Sequence, residues 1–159
     1  MNLVDRIPIG KNYPCVINCI IEIPRGTSTK YEYDEELDIF KLNRCLYSSM
    51  NYTASYGFIP QTLALDNDPL DVVVYNNTPI DTGVLVEVKP IATLDMNDNG
   101  HKDYKVVCVP TSHIREYRSL KDLEAEAEAN STSKPIFLSL LETLLEEVSR
   151  FSAASCTTA

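Results

Sequence analysis

Three aspartates, Asp66, Asp68 and Asp71, fall within six residues of one another and run directly into Val72, Val73 and Val74. Asp and Asn are poor strand residues, so this much negative charge at the mouth of an apolar run needs a compensating positive charge. A hard divalent cation meets that need, because Mg²⁺ takes oxygen ligands and is held by a few carboxylates together with substrate phosphates. An acidic turn explains the same residues, with Asp side chains capping backbone amides and Pro69 fixing the bend. Both readings are open on these residues alone.

A second acidic stretch, Asp95-Met-Asn97-Asp98-Asn99-Gly100, opens like a calcium-binding EF-hand loop, with oxygen side chains at positions one, three and five and glycine at six. Position twelve is Val106, where a bidentate glutamate is required, and the flanks read as strands. A plain hairpin loop is therefore expected, although Asp98 and Asp103 are well placed to join a metal cluster. Glu22 lies in an apolar strand, where an unpaired carboxylate is costly. Lys30 and Glu32 are two apart and so project from one face of a strand. Arg44 follows Phe40-Lys-Leu-Asn, and Tyr52 and Tyr56 lie four apart in a turn-like stretch before Gly57. Singly, each has an ordinary structural explanation: a lysine partner for Glu22, a surface pair for Lys30 and Glu32, a core role for the tyrosines.

The elements that must position these groups read as an α+β architecture. At 159 residues the chain is expected to form a single domain, 1–159, large enough to bury a real core. A hydrophobic content of 44% and nine tyrosines argue against disorder. Strands are predicted over 16–24, 30–33, 72–75, 83–92 and 104–109, separated by turn residues, which suggests a small antiparallel β-barrel spanning about 1–110. The C-terminal part, about 119–151, reads as two helices packed on that barrel. The second helix has Pro135 in its first turn and a stripe of Phe137, Leu140, Leu141, Leu144, Leu145, Val148 and Phe151. Residues 152–159 read as a frayed tail.

Charge and cysteine usage narrow the function classes. A net charge of −9 disfavours a bare phosphate-backbone binder, so no nucleic-acid partner is expected. The N-terminus has no signal pattern, and no apolar stretch is long enough to span a membrane. Five cysteines without paired spacing, and two histidines outside zinc-ligand spacing, point to free thiols in a reducing, cytoplasmic setting.

Taken together the residues resemble something specific. Ile7-Pro-Ile-Gly10-Lys, Ile21-Glu22-Ile-Pro24, Lys30-Tyr-Glu32, Arg44, Tyr52, Tyr56-Gly-Phe-Ile, Asp66-Asn-Asp68-Pro-Leu-Asp71-Val and Asp98-(x)₄-Asp103-x-Lys105 occur in the order and spacing of soluble family I inorganic pyrophosphatases of the short, prokaryotic-type length. The resemblance covers about residues 6–122. It implies an OB-like barrel and Mg²⁺-dependent hydrolysis of pyrophosphate to two orthophosphates, with several ions per site and Mn²⁺ or other divalent ions as substitutes. It implies that Asp66, Asp71 and Asp103 hold a first ion and that Asp71 bridges to a second. Asp98 and Asp103 would hold a further ion, and Glu32 and Glu22 would serve an outer one through waters. Asp68 is similar to the residue that accepts a proton from the attacking water, with Tyr56 orienting it, while Lys30, Arg44 and Lys105 grip phosphate oxygens. A homo-oligomer is implied too, with a hexamer favoured and a dimer as the alternative.

Three departures from the family pattern stand out. Asn99 replaces a glutamate, and Asn67 replaces the glycine between the leading aspartates. No adjacent Tyr-Lys pair occurs in residues 136–151, where the family binds the electrophilic phosphate. One lost charged hydrogen bond to a transition state costs about 2–4 kcal/mol, roughly a hundredfold or more in rate. The leading expectation is thus an inorganic diphosphatase with reduced turnover. The alternative from a binding class is a catalytically weakened relative that holds metal and pyrophosphate or a nucleotide diphosphate as sensor or scaffold. An OB-like oligonucleotide binder is a third reading, disfavoured because it requires a basic groove with stacking aromatics.

Overall fold

The computed structural model describes residues 2–46, 51–98 and 101–113. A short helix α1 (Leu3–Arg6) precedes seven strands: β1 (Ile17–Ile23), β2 (Thr29–Asp34), β3 (Ile39–Cys45), β4 (Ser55–Ile59), β5 (Leu70–Val74), β6 (Leu85–Asp98) and β7 (His101–Pro110). A 3₁₀ turn follows at Thr111–His113. Five strands close into a barrel in the order β1-β4-β5-β7-β6, and β2 and β3 form a separate hairpin. The expected barrel is there, but it is not wholly antiparallel: β5 pairs with β7 in parallel, Asp71 beside Lys105. The two expected C-terminal helices lie outside the described residues.

The alternation of β1 explains both cores. Ile17, Cys19 and Ile21 point inward and pack with Ile59, Val72, Val74, Val88 and Cys108, a period-2 set with no polar side chain. Ile20 points outward, yet it too is buried, because Val4 of α1, Phe58 of β4 and the partly buried Tyr33 and Phe40 of the hairpin cover it. Tyr33 stacks on Phe58 at 5.4 Å, and its hydroxyl accepts the Leu3 N–H at 2.7 Å, tying α1 to the hairpin. The hairpin therefore lies over the outer wall of β1 and β4, which fixes where Lys30, Glu32 and Arg44 stand.

Two irregularities aim side chains. Ile21 pairs with Gly57 and Ile23 with Tyr56, so Glu22 is an extra residue that faces no partner in the ladder. Such a bulge twists a strand and redirects the side chain it carries. Across the hairpin, Lys30 pairs with Arg44 but Tyr31 with Leu42, which leaves Asn43 as the extra residue there.

The stretch around Tyr56, read as turn-like from the sequence, is strand β4. Gly57 is there for close approach: a Cβ on it would fall 1.9 Å from the Ile20 carbonyl oxygen. Strand β3 was not expected at all, since its side chains past Phe40 are exposed and leave no apolar alternation to read. Cys19, Cys45 and Cys108 are free thiols as expected, whereas Cys15 is disulfide-bonded. Among the described residues no helix is long and apolar enough to cross a membrane.

The Gly57 contact yields a stability prediction. Gly57→Ala must push β4 off β1 and is expected to cost at least about 2 kcal/mol in urea unfolding. Gly26→Ala, with φ at 84° but nothing within 4 Å of the new Cβ, should cost only about 1 kcal/mol. Equal costs would contradict the close-approach account.

Candidate active site

The acidic motif forms a tight turn feeding β5. The Asp66 carboxylate accepts the Asp68 N–H at 3.2 Å, the Ala64 N–H donates to the Asp68 carbonyl at 2.8 Å, and Asn67 sits at φ 73°. Asparagine tolerates this left-handed conformation better than most residues, which accounts for its place where glycine is usual. The capping role of an acidic turn is thus real for Asp66.

Asp71 is the second residue of β5, with Phe58 opposite on one side and Lys105 on the other. The Lys105 ammonium donates to Asp71 Oδ2 and lies 3.0 Å from Asp103 Oδ2. Asp103 and Lys105 are two apart on β7 and so share a face. The lysine side chain is only 17% exposed. Burial pulls its pKa down, but the hydrogen bonds and charges of Asp71 and Asp103 outweigh that and hold it above the ordinary lysine value.

Glu22 and the hairpin complete the basin. Burial pushes the Glu22 carboxyl up to about 7, against the Tyr33 N–H that donates to it at 2.8 Å, and the neighbouring charges of Asp71 and Glu32 push it further. Lys30 pairs with Glu32 at 2.6 Å, and this hydrogen bond lowers the Glu32 pKa; Asn43 donates to the other Glu32 oxygen. Lys30 and Arg44 stand directly across the ladder from each other. Two like charges so placed repel, an arrangement that favours an anion between them. Burial raises the pKa of Asp68, and the carboxylates of Asp66, Asp71 and Glu32 raise it further. Tyr56 is raised chiefly by burial, with Lys105 acting against it, and its ring meets Tyr52 edge-on at 5.3 Å.

The electrostatic neighbourhoods of Glu22, Glu32, Tyr56, Asp68 and Lys105 overlap, so Lys30, Arg44, Tyr52, Asp66, Asp71 and Asp103 belong to one basin with them. Asp98 is described only by its backbone, which pairs with His101 at the end of the β6–β7 hairpin. Asn43 was not anticipated, because only the register of the hairpin brings it to Glu32. The donors are all hard oxygens, which suits a divalent cation of the Mg²⁺ type. Among the described residues no three acidic, histidine or cysteine side chains converge as a closed metal set. A cation does sit between two of them, and it is Lys105.

The position of Glu22 makes stability pH-dependent. Its carboxyl titrates at about 7 folded against 4.5 as reference. Between these values the folded state holds the proton and the unfolded chain does not, so stability falls as pH rises from about 4.5 to 7. The loss is expected to reach about 3 kcal/mol. In EDTA, urea titrations of the Glu22→Gln variant should lack this slope; an unchanged slope would assign it to other groups.

Comparisons with known proteins identify the family. The model of the family described as inorganic pyrophosphatase matches residues 19–151. The inorganic pyrophosphatase of Sulfolobus acidocaldarius is 47% identical over 119 residues, covering 74% of this chain and 69% of that protein. That of Saccharolobus solfataricus is 52% identical over 101 residues, covering 64% and 59%. The crystal structure of inorganic pyrophosphatase from Thermus thermophilus superposes with a TM-score of 0.72 at 40% identity, covering 77% of this chain and 71% of that one. A family match across most of the chain, with relatives at this identity and a solved structure on the same fold, shows that this chain belongs to the inorganic pyrophosphatase family.

Proposed function

We propose that the chain hydrolyses inorganic pyrophosphate to two orthophosphates, with a divalent metal ion, Mg²⁺ in the first place, as cofactor. The observation that carries this reading is the interleaving of cations and carboxylates in one basin: Lys30 and Arg44 opposed across the hairpin, Lys105 between Asp71 and Asp103. Pyrophosphate is a compact polyanion, and its hydrolysis depends on positioning and charge neutralisation more than on covalent chemistry. When bound, divalent ions supply that neutralisation and acidify water.

Asp66, Asp71, Asp98 and Asp103 would hold the ions, with Glu32 and Glu22 serving outer positions. Lys30, Arg44 and Lys105 would hold phosphate oxygens and keep the substrate in line. The water oxygen forms the new bond to phosphorus as the bridging P–O bond breaks. One proton of the water passes to Asp68, whose pKa is raised by burial and then by the carboxylates around it, the direction a general base needs. Tyr56, half-buried and near Lys105, would orient the reactants. With no Tyr-Lys pair in residues 136–151, turnover would be about a hundredfold below that of a complete clamp. A single domain, a cytoplasmic location and a homo-oligomer, hexameric before dimeric, belong to the same proposal; exposed Leu37, Leu42, Leu63 and Leu65 supply apolar surface for association.

Phosphate release from pyrophosphate with Mg²⁺, beside an EDTA control and an Asp68→Asn variant, tests the proposal. Magnesium-dependent release lost in the variant is expected. No release above the variant, from folded protein, would overturn catalysis in favour of a pyrophosphate-binding relative.

A further inference from the structure

We propose that Lys105 is the internal counter-ion of Asp71 and Asp103, and that a divalent cation binding these carboxylates must displace it towards phosphate. This rests on the reading of the site given above. The ammonium contacts both carboxylates at once, with only 17% of the side chain exposed. The parallel register places Asp71 directly beside Lys105, and Asp103 is two residues away on the same face. Among the described residues Lys105 is the cation that pairs with these two carboxylates. A divalent ion arriving there meets a positive charge at contact distance, where repulsion is strong. The four-carbon stem of lysine lets the head move without the backbone.

The hairpin repeats the arrangement. Lys30 is held by Glu32 at 2.6 Å, so a second candidate phosphate ligand is also engaged by a candidate metal ligand. Two of the three candidate phosphate ligands, Lys30 and Lys105, are therefore paired with candidate metal ligands. Metal binding to the carboxylates frees the ammonium groups, and a phosphate that captures them leaves the carboxylates to the metal. Each ligand strengthens the other by the same factor, as linkage requires. Lys105 acts here as a positioning residue that couples the two sites.

Mn²⁺ binding in the absence of pyrophosphate, followed by isothermal titration calorimetry, tests the exchange. Lys105→Met and Lys105→Gln should tighten Mn²⁺ roughly tenfold or more, and Lys105→Arg should stay near wild type. In the two neutral variants, added inorganic phosphate should enhance Mn²⁺ affinity less than in wild type. Unchanged or weakened Mn²⁺ binding in both neutral variants would overturn the exchange while leaving the site intact. Asp71→Asn separates the two readings: if it leaves Mn²⁺ binding untouched, the metal site itself is misplaced and the exchange fails with it.

Discussion

The parallel pairing of β5 with β7 sets Asp71 beside Lys105, and the arrangement of the site depends on it; the Lys105 ammonium spans Asp71 and Asp103 across that seam. At the seam's mouth, burial raises the pKa of Asp68, and the crowded like charges of Asp66, Asp71 and Glu32 raise it further. Without a cation inside, that crowding opposes the closure of the barrel that brings the residues together. The interior itself is conventional, with Val72, Val74, Val88 and Cys108 fully buried on inward positions. The apolar barrel provides the stability, and the rim uses part of it to hold carboxylates near one another. Functional sites commonly carry such local conflict.

Backbone irregularity supplies the remaining positioning. Regular pairing of β1 with β4 would leave Glu22 as one more ladder residue; the bulge between Ile21 and Ile23 sets it apart, near Asp71, Glu32 and Lys30. Gly57 permits the close approach at that point, where any side chain would strike the Ile20 carbonyl. The hairpin bulge does the same for Asn43, whose amide holds Glu32 from the side opposite Lys30. The site is thus built on rigid strands, with the Asp66–Asp68 turn as the main loop contribution.

The sequence was informative where local pattern and function coincide. The apolar runs of β1 and β5 and the acidic motif could be read directly, and the spacing of Glu22, Lys30, Glu32, Arg44 and Lys105 led to the family. Strand β3 was hidden because its neighbours are solvent, and β4 because Gly57 imitates a turn signal while serving a packing role. The parallel pairing of β5 with β7 is a long-range choice that no local period records. Asn43 carries no chemical signature of its own. It becomes part of the site only through register.

The most direct test is a crystal structure with Mn²⁺ and the non-hydrolysable imidodiphosphate, using the anomalous signal to place the ions. Manganese among Asp66, Asp71 and Asp103, with the Lys105 ammonium moved onto a phosphate oxygen, is the predicted result. Manganese elsewhere, or Lys105 still paired with Asp71 beside a bound ion, would contradict the account.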